Sequence, residues 1–183
     1  RQLNSPIEKM RAVYDYVQEH MNWNGSEQLW PDKSLAIAGQ EGTGTNAEIN
    51  LILVNMLRTA GVTAYPVVLC TRNKGHMNPQ IASAGKLNYL VCCAVVDGKD
   101  YLLDATDKLI PAGMLPFKCL NGRGWVLSRP GRWIELLNNE KNITQEFYDL
   151  ALDENDELSG SAVVTFTGYD AVNLRRLIQN ESE

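Results

Sequence analysis

Near the start of the chain Ile7, Met10, Val13, Tyr14 and Val17 fall three or four residues apart and make one apolar stripe. Ser5-Pro6-Ile7-Glu8 leads into it with a capping serine, a proline at the first helical position and a glutamate three residues after the cap. The pattern predicts an amphipathic helix over residues 6 to 20, with His20 in its last turn as a cation suited to the helix dipole. NWNGSEQLWPDKS then reads as a loop anchored by Trp23 and Trp30. From Ala47 to Ala60 the chain is apolar almost all round, which predicts a helix buried within the domain, started by the capping box Thr45-Asn46-Ala47-Glu48 and ended by Gly61.

Beyond this helix the period changes from helical to extended. VTAYPVVLCT, residues 62 to 71, is β-rich, and Pro66 inside it predicts an edge position or a bulge. Residues 72 to 86 have loop composition. Leu87 to Val96 and Lys99 to Thr106 flank Asp97-Gly98, a strong two-residue hairpin signal, so an antiparallel sheet is expected. Within its first strand Cys92 and Cys93 must point to opposite faces, so the two cannot serve one site. Residues 107 to 135 hold short apolar pieces that add one or two strands. After residue 136, ITQEFYDLAL, the acidic turn DENDE and LSGSAVVTFTG predict a second hairpin, and Tyr169 to Gln179 a closing helix.

With 183 residues, 44% hydrophobic and 21% charged, the chain fits one medium domain with a buried core, or one domain and a fragment. No apolar run approaches the roughly 18 residues of a membrane span, so membrane insertion is not expected. RQLNSPIEKM carries neither an initiator Met nor a signal segment, and the expectation is a piece of a longer chain. A net charge of −5 with no basic stripe argues against nucleic acid as a partner. Four Cys (Cys70, Cys92, Cys93, Cys119) and two His (His20, His76) are the whole supply of thiols and imidazoles. Their spacing contains no C-x-x-C pair or Cys/His cluster, so no metal and no cofactor is expected.

The run Gly44-Thr45-Asn46-Ala47-Glu48 leads into LILVNMLRTAGVTAYPVVLCTR, and Asn88 opens LNYLVCCAVVDGKDYLLDAT, which Asp104-Ala105-Thr106 closes. This arrangement resembles the transglutaminase-like superfamily over roughly residues 5 to 125. In that family a G-x-C-x-[DE] run starts an apolar helix, a His opens a strand, and an Asp follows in a D-x-T segment. The resemblance implies an α+β, papain-like core: a buried helix packed on an antiparallel sheet, spanning residues 1–136. Residues 137–183 would then be a C-terminal β-hairpin and helix extension, the start of a flanking β-rich domain of the same polypeptide. It also implies a triad at Asn46, Asn88 and Asp104, in which only the last keeps the family's residue type.

That departure decides the expected chemistry. A Cys–His unit works because both groups titrate near neutral pH, whereas a carboxamide is neither a nucleophile nor a useful base. Thr45 carries a hydroxyl beside the same helix N-terminus, but without a base its expected task is the cap. His76, in the loop KGHMNP, is the one imidazole placed to approach a cleft. The leading expectation is a non-catalytic binding or scaffolding module in a larger bacterial protein, with a peptide, protein or carbohydrate ligand and Trp23, Trp30, Thr45 and His76 as cleft residues. The alternative is an active thiol-dependent amidase, peptidase or acyl transferase with a non-standard nucleophile; a third reading is a spacer between β-rich neighbours. The resemblance further implies a periplasmic or cell-surface location, with a cytoplasmic one as the alternative.

Overall fold

A computed structural model describes residues 5–76, 84–138 and 140–181. They divide into two compact units, residues 1–138 and 139–183.

The first unit opens with helix α1, Pro6–His20, whose capping box joins the Ser5 and Glu8 side chains to each other's backbone N–H. Its stripe buries Met10, Tyr14 and Val17, while His20 stacks on Tyr16 and bonds the Tyr16 carbonyl. A two-residue strand β1, Asn22–Trp23, pairs in parallel with β2, Thr43–Gly44. Between them lies helix α2, Leu35–Glu41, capped by Ser34 and ended by Gly42 with φ of 64°. Residues 35 to 41 were not expected to be helical; seven residues with one buried side chain, Ala38, leave little periodicity to read.

Helix α3, Asn46–Thr59, runs through the unit with Ile49, Leu53, Val54 and Leu57 buried. It packs on a sheet of β3 (Thr63–Leu69), β4 (Tyr89–Val96), β5 (Lys99–Leu103), β6 (Arg123–Val126) and β7 (Arg132–Glu135). The order is β5-β4-β3-β6-β7 and every pairing is antiparallel. Asp97 and Gly98, at φ of 50° and 75°, make the β4–β5 turn.

β3 lies in the middle of this sheet, so the edge position expected from Pro66 is wrong. Pro66 instead sits where the β6 ladder stops. β6 pairs only with Val67 and Val68, and the Leu127 N–H donates to the Pro66 carbonyl at 2.8 Å, so the missing proline N–H leaves no break in the ladder.

Alternation along β4 separates two core layers. Cys92, Ala94 and Val96 face α1 and α3, whereas Tyr89, Val91 and Cys93 face Leu115, Cys119, Val126 and Leu136. Cys92 and Cys93 thus point to opposite sides of the sheet.

The second unit is the hairpin of β8, Thr144–Leu152, and β9, Leu158–Phe166, followed by helix α4, Gly168–Glu181. Tyr148, Leu150, Leu152, Leu158 and Val164 share one of its faces by register and are exposed.

Candidate functional site

The site is built around the N-terminus of α3. Thr45 caps the helix: its hydroxyl accepts the Glu48 N–H at 3.2 Å, and Glu48 Oε2 accepts the Thr45 N–H at 2.8 Å. The other oxygen of Glu48 accepts the N–H groups of Asp32 and Lys33, both at 2.9 Å. Burial opposes ionisation of Glu48, but these backbone donors on Thr45, Lys33 and Asp32 outweigh it and hold the carboxyl below its ordinary pKa. A Cβ at Gly44 would stand 2.8 Å from Glu48 Oε2 and 3.1 Å from Glu48 Cβ, so a larger residue at this corner would displace the carboxylate that closes the box. The capping box therefore does more than start a helix. It fastens the segment carrying Trp23 and Trp30 to the helix end.

Asn46, the first residue of α3, is fully buried. Its Oδ1 accepts the Gln28 N–H at 2.6 Å and its Nδ2 donates to the Leu90 carbonyl at 3.3 Å. One turn later Asn50 donates to the same carbonyl at 3.0 Å and to Asp104 Oδ1 at 2.9 Å, while the Ala105 N–H returns a bond to Asn50 Oδ1 at 3.1 Å. Asp104 also receives the Thr106 N–H on Oδ1 and the Tyr89 hydroxyl on Oδ2, at 3.1 and 2.9 Å. Burial raises the pKa of Asp104, and the bonds from Asn50, Thr106 and Tyr89 partly offset that rise.

Asn88 does not reach Asp104. The Asp104 carboxylate is served instead by the Asn50 and Tyr89 side chains and the Thr106 N–H. Alternation along the strand explains why: Tyr89, not Asn88, points to the side where Asp104 lies. The Asn88 Oδ1 accepts the Thr71 N–H at 2.9 Å, and its Nδ2 donates to Glu27 Oε2 at 3.1 Å. Because Glu27 and Gln28 are consecutive, the segment that holds Asn46 also holds Asn88. Asn46 and Asp104 are joined through Leu90 and Asn50, and Asn88 is joined to Asn46 through residues 27 and 28.

The other sequence candidates separate. Trp23 is half-buried, donates its indole N–H to the Ser26 carbonyl at 3.0 Å, and lies under the Lys118 ammonium, 4.1 Å from its ring. Lys118 also pairs with Glu27 Oε1 at 3.0 Å and stands 4.6 Å from the Tyr89 ring. Trp30 is 77% exposed and is no core anchor; it projects from the loop between Gln28 and Asp32, both of which are bonded to the α3 N-terminus. His76 is exposed, and Cys70 donates to the Gly75 carbonyl at 3.1 Å; among the described residues no bond joins the two. Burial pushes all four thiols up, Cys93 to about 12.

Asn50, Tyr89, Glu27 and Lys118 were not anticipated. Asn50 was within reach of sequence reasoning, since it lies at i+4 from Asn46 on the same helix face. Lys118 and Glu27, 91 residues apart, left no such signal.

A helix N-terminus bearing residue 46, a strand opened by residue 88 and a D-x-T segment at 104 are thus neighbours in space, and residues 1–127 match the family model described as transglutaminase-like superfamily. The chain belongs to the transglutaminase-like superfamily. The chain is also similar to a crystal structure of a candidate protease from Parabacteroides distasonis, with 22% identity and a TM-score of 0.47. The likeness covers 73% of this chain and 25% of that one, so this transglutaminase-like chain spans about a quarter of the other protein's length. No curated protein matches it.

Proposed function

We propose that the transglutaminase-like unit is a non-catalytic binding or scaffolding module of a larger bacterial protein at the periplasm or cell surface. The observation that carries this reading is the state of the two positions where the family has its thiol and imidazole. Both hold carboxamides, Asn46 and Asn88, and both carboxamides are engaged in bonds that fasten one loop to the sheet. Neither side chain titrates, and neither is free to activate water or a carbonyl. Residues 139–183 are the start of a flanking β-rich domain; the exposed apolar face of the β8–β9 ribbon supports this, since an isolated two-stranded ribbon is marginally stable.

Binding is supported by the loop of residues 24 to 33. Its flanks are fixed to α3 through the Gln28 and Asp32 N–H groups while Trp30 stands almost bare at its tip, and an exposed aromatic ring suits the face of a sugar or an apolar peptide side chain. Titration calorimetry against a panel of soluble peptides and glycans tests the reading. The expected result is saturable heat with one member of the panel and at least about tenfold weaker binding by Trp30→Ala, a loss of about 1.4 kcal/mol, with unchanged thermal stability. Flat titrations throughout would remove the binding function.

A further inference from the structure

Charge is distributed unevenly along this acidic chain. Residues 49 to 96 contain no Asp or Glu but carry Arg58, Arg72, Lys74 and Lys86. Three of these gather beside the site. Arg72 and Lys74 share the 3-10 turn Arg72–Lys74, which follows directly on Thr71, the partner of Asn88. Lys86 closes the turn Ala84–Lys86, and its ammonium donates to the His76 carbonyl at 3.3 Å, which brings the two turns together. The Arg72 guanidinium lies 4.3 Å from the centre of the exposed Phe117 ring, next to Lys118. Burial dominates at the Cys70 thiol and raises its pKa, while the charges of Lys86 and Lys74 both act on it in the opposite sense.

Arg72, Lys74 and Lys86 are exposed, and the ion pairs among the described residues use Lys33, Lys118, Arg123 and Arg132 instead. The carboxylate at the rim, Glu27, is already neutralised by Lys118 and held by Asn88. Among the described residues the rim therefore presents three cations that no ion pair neutralises, in a chain whose formal charge is −5.

We infer that this rim, Arg72, Lys74 and Lys86, receives an acidic peptide segment as the ligand of the module. The inference rests on the binding reading above and narrows its ligand class. Three cations, one of them on an aromatic ring, match a few carboxylates on an extended peptide. A nucleic-acid footprint engages about six to ten phosphates, more than these side chains can neutralise. Clustered charge of this kind steers an oppositely charged partner and fixes its register.

Fluorescence anisotropy with a labelled peptide of alternating Glu and Gly tests this on the full chain, with the Gln-for-Glu peptide and a single-stranded oligonucleotide as competitors. Arg72→Glu/Lys74→Glu is compared with Lys9→Glu/Arg11→Glu on α1, which changes net charge equally. The expected result is binding of the acidic peptide that weakens with salt, falls at least about tenfold in the rim variant and less than about twofold in the α1 variant. Equal weakening in both variants, an unaffected rim variant, no binding of the acidic peptide, or tighter binding of the oligonucleotide would each overturn it. If an uncharged peptide or a glycan binds in a Trp30-dependent way while the acidic peptide does not, the binding module stands and the acidic ligand falls.

Discussion

Replacing Asp104 with alanine is expected to lower stability by about 3–5 kcal/mol, or about 10 °C in Tm, because it removes the acceptor for three donors at once. The Asn50 carboxamide, the Thr106 N–H and the Tyr89 hydroxyl all end on this fully buried carboxylate. Asp104→Asn keeps the shape and leaves one oxygen to accept, so its cost is far smaller. The pH dependence separates charge from shape. Burial raises the folded-state pKa of Asp104 above its unfolded value, so its contribution to stability is fully present below the ordinary carboxylate pKa and is lost as pH rises through the raised one. Asp104→Asn should therefore gain on the wild type as pH goes from 4 to 7. Urea denaturation at both values measures it; a gap that widened in the wild type's favour towards pH 7 would mean that the bonds outweigh burial.

Glu48→Ala is expected to cost about 3 kcal/mol and to release the loop that carries Trp30. One carboxylate here accepts the N–H groups of Thr45, Asp32 and Lys33, so its loss orphans the helix cap and the loop together. The sign with pH is opposite to that at Asp104. The folded-state pKa of Glu48 is depressed, so its contribution is present above the unfolded carboxylate pKa and lost as pH falls through the folded one. Glu48→Gln should consequently be destabilised at pH 7 and approach the wild type in acid. Amide exchange at Asp32 and Lys33 reports the loop directly: protection at these two sites should fall in Glu48→Ala, while exchange in the β4–β5 ladder follows only the global change. Unchanged protection at Asp32 and Lys33 would show that Glu48 does not hold the loop.

These two carboxylates show what was legible in the sequence and what was not. Glu48 could be read as the third residue of a capping box, because that partnership spans a single helical turn. Its bonds to Asp32 and Lys33 could not, since they bridge residues brought together only by the fold. Asp104 was legible through the D-x-T segment that ends a hairpin strand, and the hairpin itself through Asp97-Gly98. Its partners were half legible. Side-chain alternation along β4 already assigns Tyr89 and Asn88 to opposite faces, but which face meets Asp104 depends on where β5 ends and the chain turns. Pro66 misled because a missing donor marks the end of any ladder, whether at a sheet's edge or beside a short neighbour such as β6. Cys92 and Cys93 were correctly separated, since strand alternation is local geometry.

The proposed non-catalytic role requires that this transglutaminase-like site have no activated nucleophile. Timed alkylation by iodoacetamide at pH 7, with each cysteine followed by mass spectrometry in native and urea-unfolded protein, tests it most directly. All four thiols are buried and their pKa values are raised, so all four should react at least about tenfold more slowly in the native state than in the unfolded one. A single cysteine alkylated faster in the native protein than in the unfolded chain would contradict the account and restore the thiol enzyme.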